Sequence, residues 1–350
     1  KYLGDETCAA DGLCSLSCPM GINTGDLTHA IRETNRPKGS TGYAIGNWAA
    51  KHLPTIESTL RPALSLATTA KAVIGDKATQ SLGRGLHKFG LPLWTPALPT
   101  ANSLKIKQSQ KSDLKVVYFP SCINQTMGAS RLKGQEKLAP LTQAVVDLCN
   151  KAGYEVVFPE NMRSLCCGMI WESKGMPDIA DSKTAELEKA LLKASDNGKY
   201  PVLCDQSPCL HRMRDHIKSL RLYEPAEFIS DFLADRLDFH PTDEPVAVHV
   251  TCSTRRMGLA DKIIALAKRC TTRVLVPAEV GCCGFAGDKG FTHPELNKWA
   301  LRKLRPQVEA FGAKEGYSNS RTCEIGLTTN SGIPYQSIVY LVNKCTTPKK

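Results

Sequence analysis

Two adjacent cysteine pairs, each closed by a glycine, constrain this chain more than any other feature: Cys166-Cys167-Gly168 and Cys282-Cys283-Gly284. In an extended strand neighbouring side chains point to opposite faces. Two successive sulfurs therefore serve one site only where the backbone turns tightly, and glycine permits such a turn. The pairs are also framed alike. KVVYFP (115–120), VVFP (156–159) and PVLCD (201–205) are apolar runs of strand length separated by amphipathic stretches, and PVAVHV (245–250), TRVLVP (272–277) and GYSNS (316–320) repeat that order.

The cysteines fall at corresponding points. Cys122 follows the first run, Cys166 and Cys167 the second, and Cys204 and Cys209 the third; Cys252, then Cys282 and Cys283, then Cys323 hold these places in the repeat. Strands alternating with helices imply mostly parallel sheets covered on both faces, and loops beyond the carboxyl ends of such strands converge on one edge. The expected fold is α/β: a helical, cysteine-bearing N-terminal segment followed by two pseudo-repeated α/β lobes with mostly parallel sheets. The expected division is 1–110, 111–240 and 241–350, and each lobe should gather four or five thiolates. Residues 24 to about 92 read as several short helices punctuated by Pro37, Gly42, Pro54, Pro62, Gly75 and Gly83. Residues 91–113, with Trp94 as an anchor, read as an extended crossing between domains. A long helix is expected from Pro294 to about Phe311.

Fifteen cysteines in 350 residues exceed what packing needs, so they are ligands, redox centres or disulfides. Their odd number and the adjacent pairs argue against a simple disulfide framework. The chain opens at Lys1, so the lack of a secretory signal carries little weight, and a reducing, cytoplasmic setting is expected. No apolar run approaches the roughly 18 to 20 residues of a membrane span. The net charge of +11 comes from scattered Lys and Arg without interleaved aromatics, which excludes a recognisable nucleic-acid surface. A well-hydrated surface is preferred to a face docked peripherally on the inner side of a membrane. There is no G-x-G-x-x-G after a strand, no Walker A run and no G-x-S-x-G elbow.

A third constellation, TCAADGLCSLSCP (7–19), resembles the bacterial ferredoxin run C-x2-C-x2-C-x3-C-P with Asp11 in place of the second cysteine. The resemblance implies that Cys8 and Cys14 ligate one cubane and that Cys18, ahead of Pro19, ligates another. A partner run, from upstream sequence or another subunit, would complete them. Asp11 could be an oxygen ligand, mark a three-iron site or be a turn residue before Gly12, and the turn is favoured. For the paired units, soft thiolates suit iron–sulfur clusters, zinc or copper(I). Neither lobe has the two close knuckles of a structural zinc finger, so iron–sulfur is preferred and zinc stays open.

The paired units resemble the cysteine-rich domain of heterodisulfide reductase, anaerobic glycerol-3-phosphate dehydrogenase, glycolate oxidase and lactate-utilisation proteins. TCAADGLCSLSCPMGINTGDL, CCGMIWESKG, CDQSPC, CCGFAGDKG, SNSRTCEIGL and SGIPYQSIVYLV further resemble the C-terminal half of the FAD and iron–sulfur D-lactate dehydrogenases. That resemblance implies an N-terminal FAD half that oxidises the 2-hydroxy acid, and an iron–sulfur half that passes electrons to quinone or a cytochrome and is not catalytic alone. The implied ligands are Cys8, Cys14, Cys18, Cys122, Cys166, Cys167, Cys204, Cys209, Cys252, Cys282, Cys283 and Cys323. The implied centres are [4Fe-4S] clusters. Heterodisulfide reductases bind a non-cubane cluster with five cysteines and a closing C-x-x-C. Here the first lobe closes C-x4-C at Cys204 and Cys209, and the second has only Cys323, with Ser318 or Ser320 near the missing ligand. Rival readings are thiol–disulfide chemistry on such a cluster and a zinc-stabilised scaffold. Cys149, Cys270 and Cys345 read as packing. His249 reads as a strand-end histidine with an ordinary structural hydrogen bond, and otherwise as a ligand or a donor to a cluster sulfide.

Overall fold

The structure is a computed structural model that describes residues 2–87, 92–107, 110–129 and 138–349. Position 91 and positions 108–109 of the expected crossing segment lie outside the described residues.

Strands β1 (Lys115–Phe119), β2 (Glu155–Val157), β3 (Val202–Cys204) and β4 (Leu222–Tyr223) form one sheet, in the order β2-β1-β3-β4. After β5 (Leu237–Phe239), strands β6 (Val246–Val248), β7 (Val274–Leu275), β8 (Glu315–Ser318) and β9 (Tyr335–Ser337) form a second, in the order β7-β6-β8-β9. Every pairing within these two sheets is parallel. The two orders are the same, so the α/β lobes repeat in topology as well as in cysteine placement. In each, successive connections leave the first strand on opposite sides. A crevice opens between the ends of the first and third strands, where such sheets hold ligands. Strand β10 (Thr346–Pro348) returns to pair antiparallel with β5.

Alternate strand residues separate two kinds of core. Val116, Tyr118 and Leu203 of one sheet join Val246, Val248 and Tyr317 of the other in a single core shared by both lobes. Val117, Phe119, Val202 and Cys204 face the opposite way, into an outer core that also holds Cys166 and Cys167. Ala247 lies in a matching outer core with Cys283 and Cys323.

The shared core is closed by an exchange of helices. Helix Ile338–Cys345, which follows the last strand of the second sheet, packs on Leu141–Lys151 of the first lobe. Tyr340 donates to Ala139 O at 2.7 Å, and Lys151 donates to Asn343 O at 2.9 Å. The helical segment after the last strand of the first sheet, Pro225–Phe228 and Ile229–Leu233, packs reciprocally towards Ala260–Cys270 of the second lobe. There Lys262 meets Asp231 at 2.6 Å.

Two helix expectations need correction. Residues 53–87 form one helical run, Leu53–His87, interrupted only at Gly75 (φ 78°). Pro54 sits in its first turn, where the missing N–H is harmless, and Pro62 removes one hydrogen bond without ending it. The expected long helix after Pro294 is two, Pro294–Ala300 and Leu304–Phe311. No helix among the described residues is long and apolar enough to cross a membrane.

Candidate metal centre

Each lobe brings its cysteines together by the same devices. Ser121 and Thr251 stand at the N-cap of short helices, Cys122–Thr126 and Cys252–Arg256, that begin directly with the first cysteine just past the first strand, and Thr251 accepts from Thr254 N. The paired cysteines follow in a loop whose glycine has a left-handed backbone, φ 87° at Gly168 and 68° at Gly284. A side chain at Gly168 would lie 2.4 Å from Ala180 O, and one at Gly284 2.7 Å from Leu296 O, so both conformation and space require glycine. The carbonyl of the second cysteine is then pinned. Cys167 O accepts from Thr184 Oγ1 at 2.9 Å and Arg212 Nε at 3.0 Å, and Cys283 O accepts from Asn297 Nδ2 at 2.5 Å. The last cysteine enters from the helix after the third strand, Cys209 in Ser207–His216 and Cys323 in Arg321–Ser331.

The result is two matching rows of sulfur. In the first lobe Cys122 stands next to Cys166, Cys166 next to Cys167 and Cys167 next to Cys209, each pair close enough for its thiols to perturb one another. In the second Cys252 stands next to Cys282 and Cys282 next to Cys283, and Cys283 donates to Cys323 with the sulfurs 3.0 Å apart. The neighbouring thiols of Cys122 and Cys167 hold the Cys166 thiol well below the usual range. Cys122, beside Cys166 and desolvated, is pushed well above it, as is Cys252 beside Cys282. Among the described residues no three metal-binding side chains already close around one ion.

Cys204 stands apart from its row. It ends β3, is fully buried on the same sheet face as Cys166 and Cys167, and donates to Gln206 O at 3.8 Å. Its counterpart is Ser318, which ends β8 and donates to His249 O at 3.1 Å, so Ser318 rather than Ser320 occupies the fifth position. Asp205 fixes the mouth of the first crevice: its carboxylate accepts from Tyr118 OH at 2.6 Å and Ser121 N at 2.9 Å.

The N-terminal segment docks across both sites. Arg32 donates to Asp5 O at 2.6 Å, Cys8 O at 2.8 Å and Ser173 O at 3.1 Å, the last on the helix that opens at Gly168. Lys289, five residues past Gly284, donates to Glu6 O. Lys174 and Asp288 join the two paired-cysteine loops at 2.5 Å. Asp11 accepts from Leu13 N at 3.1 Å, the turn role expected of it, and its charge also reaches Cys252 and Cys282. The sulfurs of Cys8, Cys14 and Cys18 are not brought into contact with one another among the described residues. Cys14 takes a hydrogen bond from Thr24 at 3.3 Å, which lowers its thiol, and Cys8 Sγ accepts from Ala10 N at 3.4 Å.

Cys149, Cys270 and Cys345 all lie in the shared core, as packing residues do. Burial pushes Cys149 up to about 12. Cys270 and Cys345 are neighbours whose thiols perturb each other, a proximity that their positions 270 and 345 do not announce. His249 departs from expectation. It is 2% exposed, and neither ring nitrogen has a partner. Burial and the nearby Arg255 lower it to about 3, so the ring is neutral.

Four soft thiols per lobe, with pinned loops and a buried setting, form a donor set that fits an iron–sulfur centre. Comparison with protein families matches CCG, described as "Cysteine-rich domain", over residues 116–214 and again over 246–328, together just over half of the chain. No curated protein matches the chain. The two matched stretches span the two sulfur rows, and the chain belongs to the cysteine-rich domain family.

Proposed function

We propose that this chain is the iron–sulfur electron-transfer portion of a flavin-linked D-2-hydroxy acid dehydrogenase, with D-lactate as substrate, relaying electrons from FAD to quinone or a cytochrome. The carrying observation is the docking of the ferredoxin-like segment against both sulfur rows through Arg32 and Lys289. Three cysteine groups thereby adjoin one another, as a relay requires. Bound clusters, [4Fe-4S] in this reading, would supply one-electron chemistry. Cys122, Cys166, Cys167 and Cys209 would hold one, and Cys252, Cys282, Cys283 and Cys323 another. Cys8, Cys14 and Cys18 would supply part of the ligands of two more. The protein tunes such centres by burial and by hydrogen bonds to sulfur.

A flavin-bearing half, upstream or in another subunit, would take the hydride equivalent from the hydroxy acid. Leu16, Met20, Ile22 and Leu27 are exposed beside the N-terminal cysteines, a surface suited to a partner with the complementary cysteine run. The D-lactate assignment itself rests on the sequence resemblance. This reading sets the protein on the cytoplasmic side, with peripheral membrane contact where the acceptor is quinone.

The test is an assay of anaerobically purified chain, alone and joined to its flavin half. The chain alone should contain iron and acid-labile sulfide and should not turn over D-lactate. In the complete enzyme, replacing Cys122 and Cys252 by serine should leave substrate-driven flavin reduction intact and sharply reduce acceptor reduction. Turnover by the isolated chain, or unimpaired acceptor reduction in the variants, would overturn the assignment. Stoichiometric zinc without sulfide would establish the scaffold reading. Cys204 as a fifth buried thiol in the first lobe favours a second reading, thiol–disulfide chemistry there; a non-cubane spectrum lost in Cys204→Ser would establish it.

A further inference from the structure

The two lobes share their sulfur rows but differ in what surrounds them. Three residues before the leading cysteine the first lobe has Phe119 and the second His249; three residues after it they have Gln125 and Arg255. Phe119 packs among Cys166, Cys167 and Cys204. By strand alternation His249 shares the face of Ala247, which packs with Cys283 and Cys323. Arg255 lies three residues along the helix that begins at Cys252, on the same helical face as that cysteine.

Gln125 spends its N–H groups on backbone, donating to Pro120 O at 2.9 Å and Met162 O at 3.2 Å. The second-lobe pair has no such outlet. Both ring nitrogens of His249 and the Nε of Arg255 are buried without a hydrogen-bond partner, and the two side chains are close enough to interact electrostatically. A buried polar group left unpaired costs about 1–3 kcal/mol, so the one N–H of the neutral His249 ring and the Nε–H of Arg255 call for an acceptor. An iron–sulfur centre with four thiolates is anionic and rich in sulfur acceptors.

On the proposed reading that these rows hold such centres, we infer that His249 and Arg255 donate hydrogen bonds to the second lobe's centre, on the side where Ser318 replaces the fifth cysteine. Donors to cluster sulfur favour the reduced, more negative state and raise the potential. Asp11 is the acidic group set against Cys252 and Cys282. It is partly exposed and already engaged by Leu13 N, so solvent screens much of its opposing charge. His249 and Arg255 are positioning and tuning residues, not ligands.

The first lobe supplies the test substitutions. In anaerobically purified chain, the electron paramagnetic resonance signal lost in Cys283→Ser identifies the second-lobe centre. His249→Phe and Arg255→Gln should each keep the wild-type iron content. Each should lower the reduced-to-oxidised ratio of that signal at the wild-type midpoint by roughly three- to tenfold, the effect of one ordinary hydrogen bond. The first-lobe signal should not move. Nitrogen hyperfine coupling to the second-lobe signal should weaken in both. Full iron with an unmoved potential and unchanged coupling would overturn the donor pair while leaving the cluster reading intact. A wild-type chain without iron and sulfide would overturn both. If His249→Phe fails to fold, Arg255→Gln decides alone.

Discussion

Arg321 reaches across the lobe boundary and donates its Nε to Asn124 Oδ1 at 3.0 Å. The corresponding residues on the other side of the pseudo-repeat, Ser207 and Thr254, also meet, hydroxyl to hydroxyl at 3.2 Å. Each contact joins the helix after one lobe's third strand to the helix after the other's first strand. Each therefore lies beside a sulfur row, and the lobes are registered at their metal-binding ends. Arg321 is buried and also pairs with Glu324 at 3.0 Å.

Replacing Arg321 by alanine should therefore destabilise the chain by about 3–5 kcal/mol, because it leaves the buried Glu324 carboxylate without its counter-ion. Arg321→Ala combined with Glu324→Gln should recover part of that loss. Urea denaturation of both variants checks this; equal losses in the two would show that Arg321 acts only through Asn124.

Glu224 is fully buried at the same boundary, and desolvation raises its carboxyl to about 7 despite a hydrogen bond from Thr254 at 3.1 Å. A raised carboxyl means that the folded chain binds a proton the unfolded chain has released. Stability should thus fall between the unfolded carboxylate range, near pH 4.5, and about pH 7, at up to ~1.4 kcal/mol per pH unit, and level off above. Glu224→Gln should flatten that slope and leave the variant relatively more stable at pH 8 than at pH 5. Chemical denaturation across this window is the measurement, and a parallel slope in the variant would refute the assignment.

The clamps on the paired-cysteine loops should act lobe by lobe. Asn297→Ala frees Cys283 O and should lower second-lobe metal content, with about 1–3 kcal/mol lost from stability. Arg212→Ala removes one of the two donors to Cys167 O, leaving Thr184, and empties the place of a fully buried side chain, so its effect should be of similar size and confined to the first lobe. Iron quantification together with lobe-resolved spectroscopy separates the two.

Ligand substitutions provide the simplest contrast. Cys167→Ser and Cys283→Ser should each remove metal from one lobe, whereas Cys149→Ala, in the shared core, should leave both lobes loaded and cost only cavity energy of about 1–2 kcal/mol. Metal loss in Cys149→Ala without loss in Cys283→Ser would contradict the ligand assignment.

Five of the six parallel strands next to the cysteines were readable because they are rich in Val and Leu and bounded by turn residues; the sixth, EGYS at Glu315–Ser318, was legible mainly from its place in the repeat. The outer strands were not. Leu222–Tyr223 is two residues long, and Tyr335–Ser337 reads YQS, with neither the length nor the apolar alternation that marks a strand. The run Leu53–His87 hid behind two prolines that a helix tolerates, one in its first turn and one at the loss of a single bond. Cysteine spacing anticipated both sulfur rows, since each cysteine lies just past a strand or in a glycine-closed turn. It could not show that His249 lacks a partner or that Cys270 lies near Cys345, because both depend on tertiary packing across the repeat.

The exchanged helices also impose an order on assembly. Helix Ile338–Cys345 closes the first lobe's side of the shared core against Leu141–Lys151, so that side stays open until the second lobe's last strand and this helix have been made. Contacts such as Tyr340 with Ala139 close very long chain loops and form late. The first-lobe thiols lie on the other face of the first sheet, so this helix decides when that sheet gains its second layer rather than whether the thiols are accessible. Truncation before residue 338 should disable the first lobe, although its own sequence is complete by then.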